Sequence, residues 1–250
     1  MKLLEFKDVS LTYEKTEALK NINFSVYEGE LVAIVGPSGC GKTSILSLIS
    51  GLLKETAGEI IKKDSLKTAY MLQKDSLLEW RTVFDNAKIG LEVISPASRL
   101  IKNKKKENLF YINSLLETYG LGEFKNKFPN ELSGGMRQRV ALIRTLAVKP
   151  EILLLDEPFS ALDYQTRLVV TSDIVKILRK EKKTAVMITH DISEAISIAS
   201  RVIVLSKRPG SILKNIELNF KENDPLKRRE EALFKQYFNE VWNSIEVKYE

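Results

Sequence analysis

The chain has 250 residues, of which 29% are charged and 44% hydrophobic. This is an ordinary globular composition, and the length suffices for one large α/β domain or for one domain with an inserted lobe. No run approaches the roughly 18 apolar residues of a membrane span. The net charge of +6 would suit nucleic acid, an anionic membrane or a polyphosphate ligand, and charge alone does not decide among them.

The cysteine content and the first residues indicate the compartment. A single cysteine excludes an internal disulfide and fits a reducing compartment. Glu5 and Asp8 stand where a signal peptide would need an apolar core. We therefore expect a cytosolic protein.

Residues 1–35 have the pattern of short strands. Two of them, in residues 22–35, are separated by the turn Tyr27–Glu30 and predict a hairpin, which suggests an antiparallel β element. Tyr13 lies near the start of this region. Its ring is either a half-exposed strand aromatic or a surface on which a purine base stacks.

The segment GPSGCGKT at 36–43 follows an apolar, β-branched run and precedes a helical pattern. Glycines let successive N–H groups point at one centre, and the helix N-terminus adds positive partial charge there. Lys42 should reach the β- and γ-phosphates of a nucleotide, and the hydroxyl of Thr43 should bind Mg²⁺. The alternative is a glycine-rich turn that only happens to contain Lys-Thr.

A helical lobe is predicted after two further strands, the second of which ends at Gln73. From about residue 75 to 130 the strand patterns give way to helical ones. Within the lobe, Lys102–Lys106 lacks the interleaved aromatic residues of a base-stacking surface. We interpret this run as a solvated loop between two helices, with nucleic-acid binding as the alternative.

Strands and helices alternate again after residue 150. The strands are almost continuously apolar, which is typical of a parallel sheet buried on both faces. Asp156 and Glu157 end one such strand and His190 follows the next, so all three are expected at the edge where ligands bind. Asp156 could bind Mg²⁺ and Glu157 could polarise a water, or the two could simply cap the next turn.

The segment LSGGMRQR at 132–139 opens another helix. Ser133 is a good N-cap, but Gly134 and Gly135 each cost about 1 kcal/mol against alanine in a helix. Exposed N–H groups at a helix start can form an anion site, which would compensate for that cost.

Together these motifs resemble those of the ATP-binding-cassette (ABC) ATPases. In the family's order, they are GPSGCGKT, Gln73, LSGGMRQR, ILLLDEP at 152–158, SALD at 160–163 and ITH ending at His190. The resemblance covers essentially the whole length. The sequence of residues 77–92, and the RPG at 208–210, are similar to those of importers for nitrate, sulfonate and taurine-like solutes.

The resemblance implies an α/β fold, with a P-loop NTPase-type parallel sheet core, an N-terminal antiparallel β element and an inserted α-helical subdomain. We expect the ABC ATPase domain at residues 1–209, with the helical subdomain at about 75–148. Residues 210–250 would form a short C-terminal strand and helix extension.

The resemblance also implies ATP and Mg²⁺ as cofactors. The catalytic residues would be Glu157 as general base, with Gln73 and His190 in supporting roles. Mg²⁺ would be held by Thr43, Gln73 and Asp156. The ATP-binding positions are Tyr13, Gly36, Pro37, Ser38, Gly39, Cys40, Gly41, Lys42, Thr43, Ser44, Ser133, Gly134, Gly135 and Asp163.

In the family, the LSGG segment contacts the γ-phosphate held by the other subunit, so the resemblance implies a homodimer with ATP between two copies. The expected function is the ATP-hydrolysing subunit of a membrane importer, peripheral at the cytoplasmic face. Its partner would be a transmembrane permease that contacts the groove near Gln73, Trp80 and Arg81, with an extracytoplasmic solute-binding protein involved indirectly. No nucleic-acid partner is expected.

Two alternatives remain. A soluble ABC ATPase acting on ribosomes or nucleic acid usually carries two cassettes or a long coiled-coil insertion. A non-catalytic regulatory module ought to have lost Lys42 or Glu157.

Overall fold

The computed structural model describes residues 1–94 and 102–246. The strands are β1 (Lys2–Tyr13), β2 (Thr16–Tyr27), β3 (Leu31–Val35), β4 (Ala57–Lys62), β5 (Thr68–Met71), β6 (Ile152–Asp156), β7 (Thr184–Ile188), β8 (Arg201–Leu205) and β9 (Ile212–Glu217). The helices are α1 (Lys42–Ser50), α2 (Val83–Ile94), α3 (Lys102–Thr118), α4 (Gly134–Ala147), α5 (Tyr164–Lys180), α6 (Ile192–Ile198), α7 (Pro225–Arg228) and α8 (Ala232–Glu246), with a 3-10 turn at Pro129–Glu131.

These strands form two sheets. The smaller one is antiparallel, in the order β2-β1-β4, and the larger one has the order β5-β6-β7-β3-β8-β9. All pairs of the larger sheet are parallel except β8 with β9. The predicted fold class, a parallel core with an N-terminal antiparallel element and an added helical region, is confirmed.

The parallel strands are buried on both faces, and their side chains feed two separate apolar clusters. In β3, Leu31, Ala33 and Val35 pack on the side of the helical lobe, whereas Val32 and Ile34 pack against α1 and the antiparallel sheet. The neighbouring parallel strands divide in the same way. Full burial of such side chains contributes roughly 1.5–3 kcal/mol each, which fixes the sheet and the loops at its carboxyl edge.

The predicted hairpin around Tyr27–Glu30 is wrong. β2 pairs with β1 in the antiparallel sheet, whereas β3 lies between β7 and β8 in the other sheet. The turn therefore passes from one layer to the next. The carboxylate of Glu30 accepts a hydrogen bond from the Tyr27 N–H at 2.9 Å and pairs with Arg201 Nε at 2.7 Å. The burial pattern gives the reason, since β2 mixes buried and exposed residues while all five residues of β3 are buried.

The predicted loop at Lys102–Lys106 is also wrong, because these residues begin helix α3. Lysine is a good helix former, so a lysine-rich run can continue a helix toward its N-terminus. The apolar residues that anchor this helix come later. Ile112, Leu115 and Leu116 are buried against the lobe's core.

The segment after β8 is integrated into both sheets. β9 pairs with β8, and Val241 of α8 is buried in the core. The Gly210 N–H donates to Ala18 O at 2.9 Å, and a Cβ at Gly210 would lie 2.1 Å from the Cys40 carbonyl oxygen. The RPG segment therefore buttresses the loop after β3.

Among the described helices, none combines the length and apolar character needed to cross a membrane.

Candidate nucleotide-binding site

The loop between β3 and α1 lies at the centre of the carboxyl edge of the parallel sheet. Gly41 is the N-cap of α1, with φ of 101° and no side-chain cap, so the first N–H groups of the helix stay open. A Cβ at Gly41 would lie 2.6 Å from Leu19 Cδ2, which excludes any larger residue. The loop thus presents a helix N-terminus to an anion.

Lys42 places its charge over this loop. The side chain is only 7% exposed, and its ammonium donates to Gly36 O at 2.8 Å and to Pro37 O at 2.9 Å. Both acceptors are neutral carbonyls, so neither offsets the positive charge that a phosphate would meet. The loop and Lys42 together therefore form a cationic cradle, and the assignment of a phosphate to it stays a prediction.

Cys40 differs from the other loop residues because its thiol points away from the cradle. Its side chain is 1% exposed within the core between the two sheets. Burial raises the pKa of the thiol above its ordinary value. Only the backbone of Cys40 is therefore available to a ligand.

Asp156 ends β6 beside the loop. Its carboxylate accepts a hydrogen bond from Tyr70 Oη at 2.9 Å and another from the hydroxyl of Thr43. Burial raises the pKa of Asp156, and the adjacent negative charge of Glu157 adds to this, while the hydrogen bonds and Lys42 oppose it.

Thr43 and Asp156 supply the oxygen ligands that Mg²⁺ prefers. Within residues 1–94 and 102–246, no group of three or more His, Cys, Asp and Glu side chains could hold a metal on its own. A Mg²⁺ ion here would complete its coordination with phosphate and water oxygens, which is usual for this ion.

Glu157, Gln73 and His190 come from three different motifs and meet at one point. Glu157 Oε2 lies 3.2 Å from Gln73 Nε2 and 3.1 Å from His190 Nδ1. The backbone of Glu157 is left-handed, with φ of 42°, and its N–H donates to Ile188 O of the neighbouring strand. Such a strained residue at a strand end is typical of functional sites. Gln73 also donates to Ser160 Oγ at 3.3 Å, which links it to the SALD segment.

Tyr13 is the last residue of β1 and lies close to the start of α1. Its hydroxyl is 3.0 Å from Ser44 Oγ, and the residue is 44% exposed. This hydrogen bond anchors the ring at the start of the helix while leaving part of it open. Both interpretations of Tyr13, strand aromatic and base-stacking surface, are compatible with this position.

The LSGG segment is separate from these residues. Ser133 Oγ caps α4 by accepting from the Met136 N–H at 3.3 Å, and Ser133 and Gly135 line a groove of about 370 Å³ between α4 and α5. Asp163 caps α5 by accepting from the Thr166 N–H at 3.0 Å. In the described part of the chain, no hydrogen bond joins residues 133–135 to the phosphate loop.

Three functional candidates were missed in the sequence. Tyr70 fixes Asp156, and its only signal was its place on the strand beside β6. Arg167 donates to Leu162 O at 3.0 Å and pairs with Asp191 at 3.5 Å, so it bridges the segments that carry Asp163 and His190. Glu194 is buried and accepts a hydrogen bond from Thr189 Oγ1.

The comparisons with known proteins agree with this geometry. A family model described as "ABC transporter" matches residues 19–160. The chain belongs to the ABC transporter family. It is an ATP-binding subunit of the ABC ATPase class, as the motifs predict. An uncharacterized ABC transporter ATP-binding protein of Bacillus subtilis, YtlC, is 39% identical over 98% of this chain and 96% of its own length.

Two further relatives of this ABC ATPase have named solutes. The taurine import ATP-binding protein TauB of Ruegeria pomeroyi is 36% identical over 87% of this chain and 82% of its own length. The aliphatic sulfonates import ATP-binding protein SsuB of Bacillus cereus is 40% identical over 81% of this chain and 79% of its own length.

Among solved structures, the dimeric ABC cassette MJ0796 bound to ADP and Pi is 32% identical, with a TM-score of 0.69 over 87% of this chain and all of that one. A putative metal-chelate type ABC transporter, in an inward-facing conformation, has a TM-score of 0.77 at 23% identity over 98% of this chain and 89% of that one. The second likeness supports the fold alone.

Proposed function

We propose that this ABC ATPase energises a membrane importer for nitrate, sulfonate or taurine-like solutes. The support is the similarity to TauB and SsuB over most of the chain. The solute itself would be recognised by a permease and an extracytoplasmic solute-binding protein, because the ATPase does not touch it. The subunit would sit at the cytoplasmic face of the membrane, attached through that permease.

The single observation that carries the catalytic assignment is the convergence of Gln73 and His190 on one carboxylate oxygen of Glu157. Glu157 acts as the general base for the attacking water, and His190 and Gln73 orient it and contact the γ-phosphate. A bound Mg²⁺ would neutralise phosphate charge, with Thr43, Asp156 and Gln73 as its protein contacts.

ATP is held by the phosphate loop, with Tyr13 against the adenine and Ser44 beside the phosphates. The loop contacts comprise Gly36, Pro37, Ser38, Gly39, Cys40 (through its backbone), Gly41, Lys42 and Thr43. In a homodimer, Ser133, Gly134 and Gly135 of one copy contact the γ-phosphate bound by the other, and Asp163 lies at the interface. The dimeric MJ0796 cassette supports this arrangement.

The permease contact is assigned to the helical lobe at about residues 75–148 within an ATPase domain of residues 1–209. Trp80 is 75% exposed beside Arg81, near the segment that carries Gln73, and an apolar ring of this size is suited to an interface. Residues 210–250 are assigned to the extension, of which the described part, residues 210–246, packs on the core through α7 and α8.

The catalytic assignment is tested with Glu157→Gln. The variant should bind ATP and pair as the wild type does but lose turnover by roughly a hundredfold or more, because it lacks the base. Glu151→Gln, at the opposite end of the same strand, is the matched control and should keep full turnover. Wild-type turnover by the Glu157 variant would refute the assignment.

The importer assignment is tested by copurification from solubilised membranes of cells that express the chain. The wild type should bring down an integral membrane protein, and Trp80→Ala should not. The chain has two tryptophans. The second, Trp242, is 46% exposed on α8, so Trp242→Ala is the matched control and should still copurify. Equal behaviour of the two variants would contradict the assigned surface.

A further inference from the structure

A second cavity lies at the edge of the parallel sheet opposite the nucleotide site, where β3 begins. Its volume is about 530 Å³, and its walls come from the end of α5, the turn after it, the residues around Leu31 and Ser200, and the tail segment before and within α7. The cavity shares no lining residue with the nucleotide site. We refer to it as the basic cavity.

The charged side chains that line the basic cavity are mostly cationic. They are Arg179, Lys182, Lys183 and Arg228, against Glu28 as the one carboxylate among the described lining residues. Lys183 Nζ donates to Pro150 O at 3.2 Å, a neutral partner. Four cations against one anion leave an excess of positive charge around a partly enclosed space.

Arg228 is the most buried of these cations, at 5% exposure. Its Nε donates to Glu222 O at 2.9 Å, and its Nη1 donates to Ala199 O at 2.6 Å and to Ser197 O at 3.4 Å. These acceptors are neutral, and no hydrogen bond joins Nη2 to any described residue. Burial lowers the pKa of Arg228 to about 10, and the charge of Arg179 lowers it further, against the opposing effect of Glu231.

Arg179 is less buried than Arg228. Its Nη1 donates to Asn223 O, and burial lowers the pKa of its guanidinium, with Asp224 acting in the opposite direction. Asp224 is itself occupied, because it accepts from the Leu226 N–H at 2.9 Å and pairs with Lys176 at 3.4 Å. The two guanidinium groups therefore repel each other in a partly desolvated place. Arg228 is compensated by carbonyl oxygens and by the ring of Phe220, whose centroid lies 5.0 Å from its Cζ, but not by a hydrogen-bonded carboxylate. An anion in the cavity would therefore still gain from its charge and from that of Arg179.

We propose that the basic cavity binds a small, doubly charged oxyanion, such as sulfate or a phosphate group, between Arg179, Lys182 and Arg228. Guanidinium forks match such oxyanions in geometry, and Lys182 adds a mobile charge at the rim. The site is independent of the nucleotide, since it lies at the other end of the strands.

The test measures the melting temperature of the full chain as sulfate is raised at constant ionic strength, with chloride as the balancing ion. Saturating ADP occupies the phosphate loop throughout. The wild type should gain melting temperature in a saturable way. Lys182→Gln should need about tenfold more sulfate for half of that gain, and the double variant with Arg179→Gln about a hundredfold more, because each lost cation removes a charge-assisted contact.

Lys180→Gln is the matched control, since Lys180 is exposed at the end of α5, just before Lys182, but does not line the basic cavity, and it should respond as the wild type does. Sulfate also stabilises proteins nonspecifically, so the difference between variants is the decisive quantity. The same response in the wild type and in Lys182→Gln, as in the double variant, would overturn the proposal. Lys182→Gln removes only an exposed rim charge, so the test does not depend on the double variant folding.

A second series replaces sulfate with glycerol phosphate. The quantity compared is the ratio, variant to wild type, of the anion concentrations that give half of the gain in melting temperature. A larger ratio with glycerol phosphate than with sulfate assigns the cavity to the phosphoryl end of a larger molecule, and an equal or smaller ratio assigns it to the free oxyanion. Equal concentrations for wild type and variants in both series overturn the proposal.

Discussion

Helices α1 and α4 both begin at glycine-rich segments, yet the two starts are built in opposite ways. At α1, Gly41 is left-handed and closely covered by Leu19 of the same chain, and Lys42 is folded back onto the loop carbonyls. At α4, Ser133 supplies an ordinary side-chain cap, and the helix start borders an open groove.

The glycines serve different purposes at the two starts. Gly41 is required by its backbone angle and by the closeness of Leu19. Gly135 is closely packed, because a Cβ there would lie 2.9 Å from Val170 Cγ2, whereas a Cβ at Gly134 would lie 3.2 Å from Leu162 Cδ2 and would need only a small shift of that side chain. The phosphate loop is built within one chain, whereas no hydrogen bond among the described residues joins the start of α4 to it. In the proposed dimer, a second copy would bring the two helix starts to one ATP.

Lys42→Ala should have the largest effect, because it removes the positive charge from the phosphate loop at the start of α1. We expect ATP affinity to fall roughly a hundredfold and nucleotide-dependent pairing to disappear. Calorimetry and light scattering with ATP measure the two effects. Lys62→Ala is the matched control, since Lys62 also donates to two carbonyls of α1, Leu48 O and Ile49 O, but at the far end of the helix. Unchanged affinity and pairing in the Lys42 variant would refute the phosphate assignment.

Ser133→Ala should distinguish the role of the α4 start, which is pairing, from that of the α1 start, which is ATP binding. The isolated variant should bind ATP as the wild type does, but pairing should weaken by roughly tenfold to a hundredfold, because a hydrogen bond to a charged phosphate is lost at each composite site. The matched control is Thr82→Ala, since Thr82 Oγ1 accepts from the Asp85 N–H at 3.2 Å and caps α2 in the same manner. Both variants lose a cap worth about 1 kcal/mol. If both paired like the wild type, residues 133–135 would not face the partner's ATP.

Glu194→Gln changes a buried carboxylate of α6 that lies outside both helix starts and is hydrogen-bonded to Thr189, so it should affect activity least. Burial raises the pKa of Glu194 from its ordinary 4.5 to about 7, with Asp191 adding to the shift and Thr189, Arg167 and Arg229 opposing it. The folded state therefore binds more protons than the unfolded state between these values, and stability falls as the pH rises through that window. The loss amounts to at most roughly 3 kcal/mol above pH 7.

The Glu194→Gln variant should lack this fall in stability with rising pH. Its free energy of unfolding relative to the wild type should therefore rise from pH 5 to pH 8. Denaturant unfolding at several pH values measures it. Glu123→Gln, at an exposed position, is the matched control and should follow the wild type. Parallel curves for the wild type and Glu194→Gln would contradict the assignment.

Local pattern was enough for most elements of the fold. Continuous apolar runs gave the buried strands, and the cap residue Ser133 marked the start of α4, because these signals depend on a few neighbouring residues. Two predictions failed where local pattern is ambiguous. Tyr27–Glu30 reads as a hairpin turn, and only the pairing of β3 with β7 and β8 shows that the chain changes sheets there. The pattern of Lys102–Lys106 predicts a loop, but lysine is also a good helix former, and these residues lie in α3.

The sequence by itself determined the kind of chemistry: a glycine loop with Lys42, a strand ending in Asp156 and Glu157, and motifs in the order of the ABC ATPases. It did so because each motif is short and its chemistry depends on adjacent residues. Only the tertiary structure decided which side chains of different motifs contact one another. Gln73 and His190 converge on Glu157, Tyr70 reaches Asp156, Arg167 joins two loops, and Arg179 and Arg228 face one cavity. These contacts join residues tens of positions apart, and their distances follow from sheet order and packing, which no local pattern encodes.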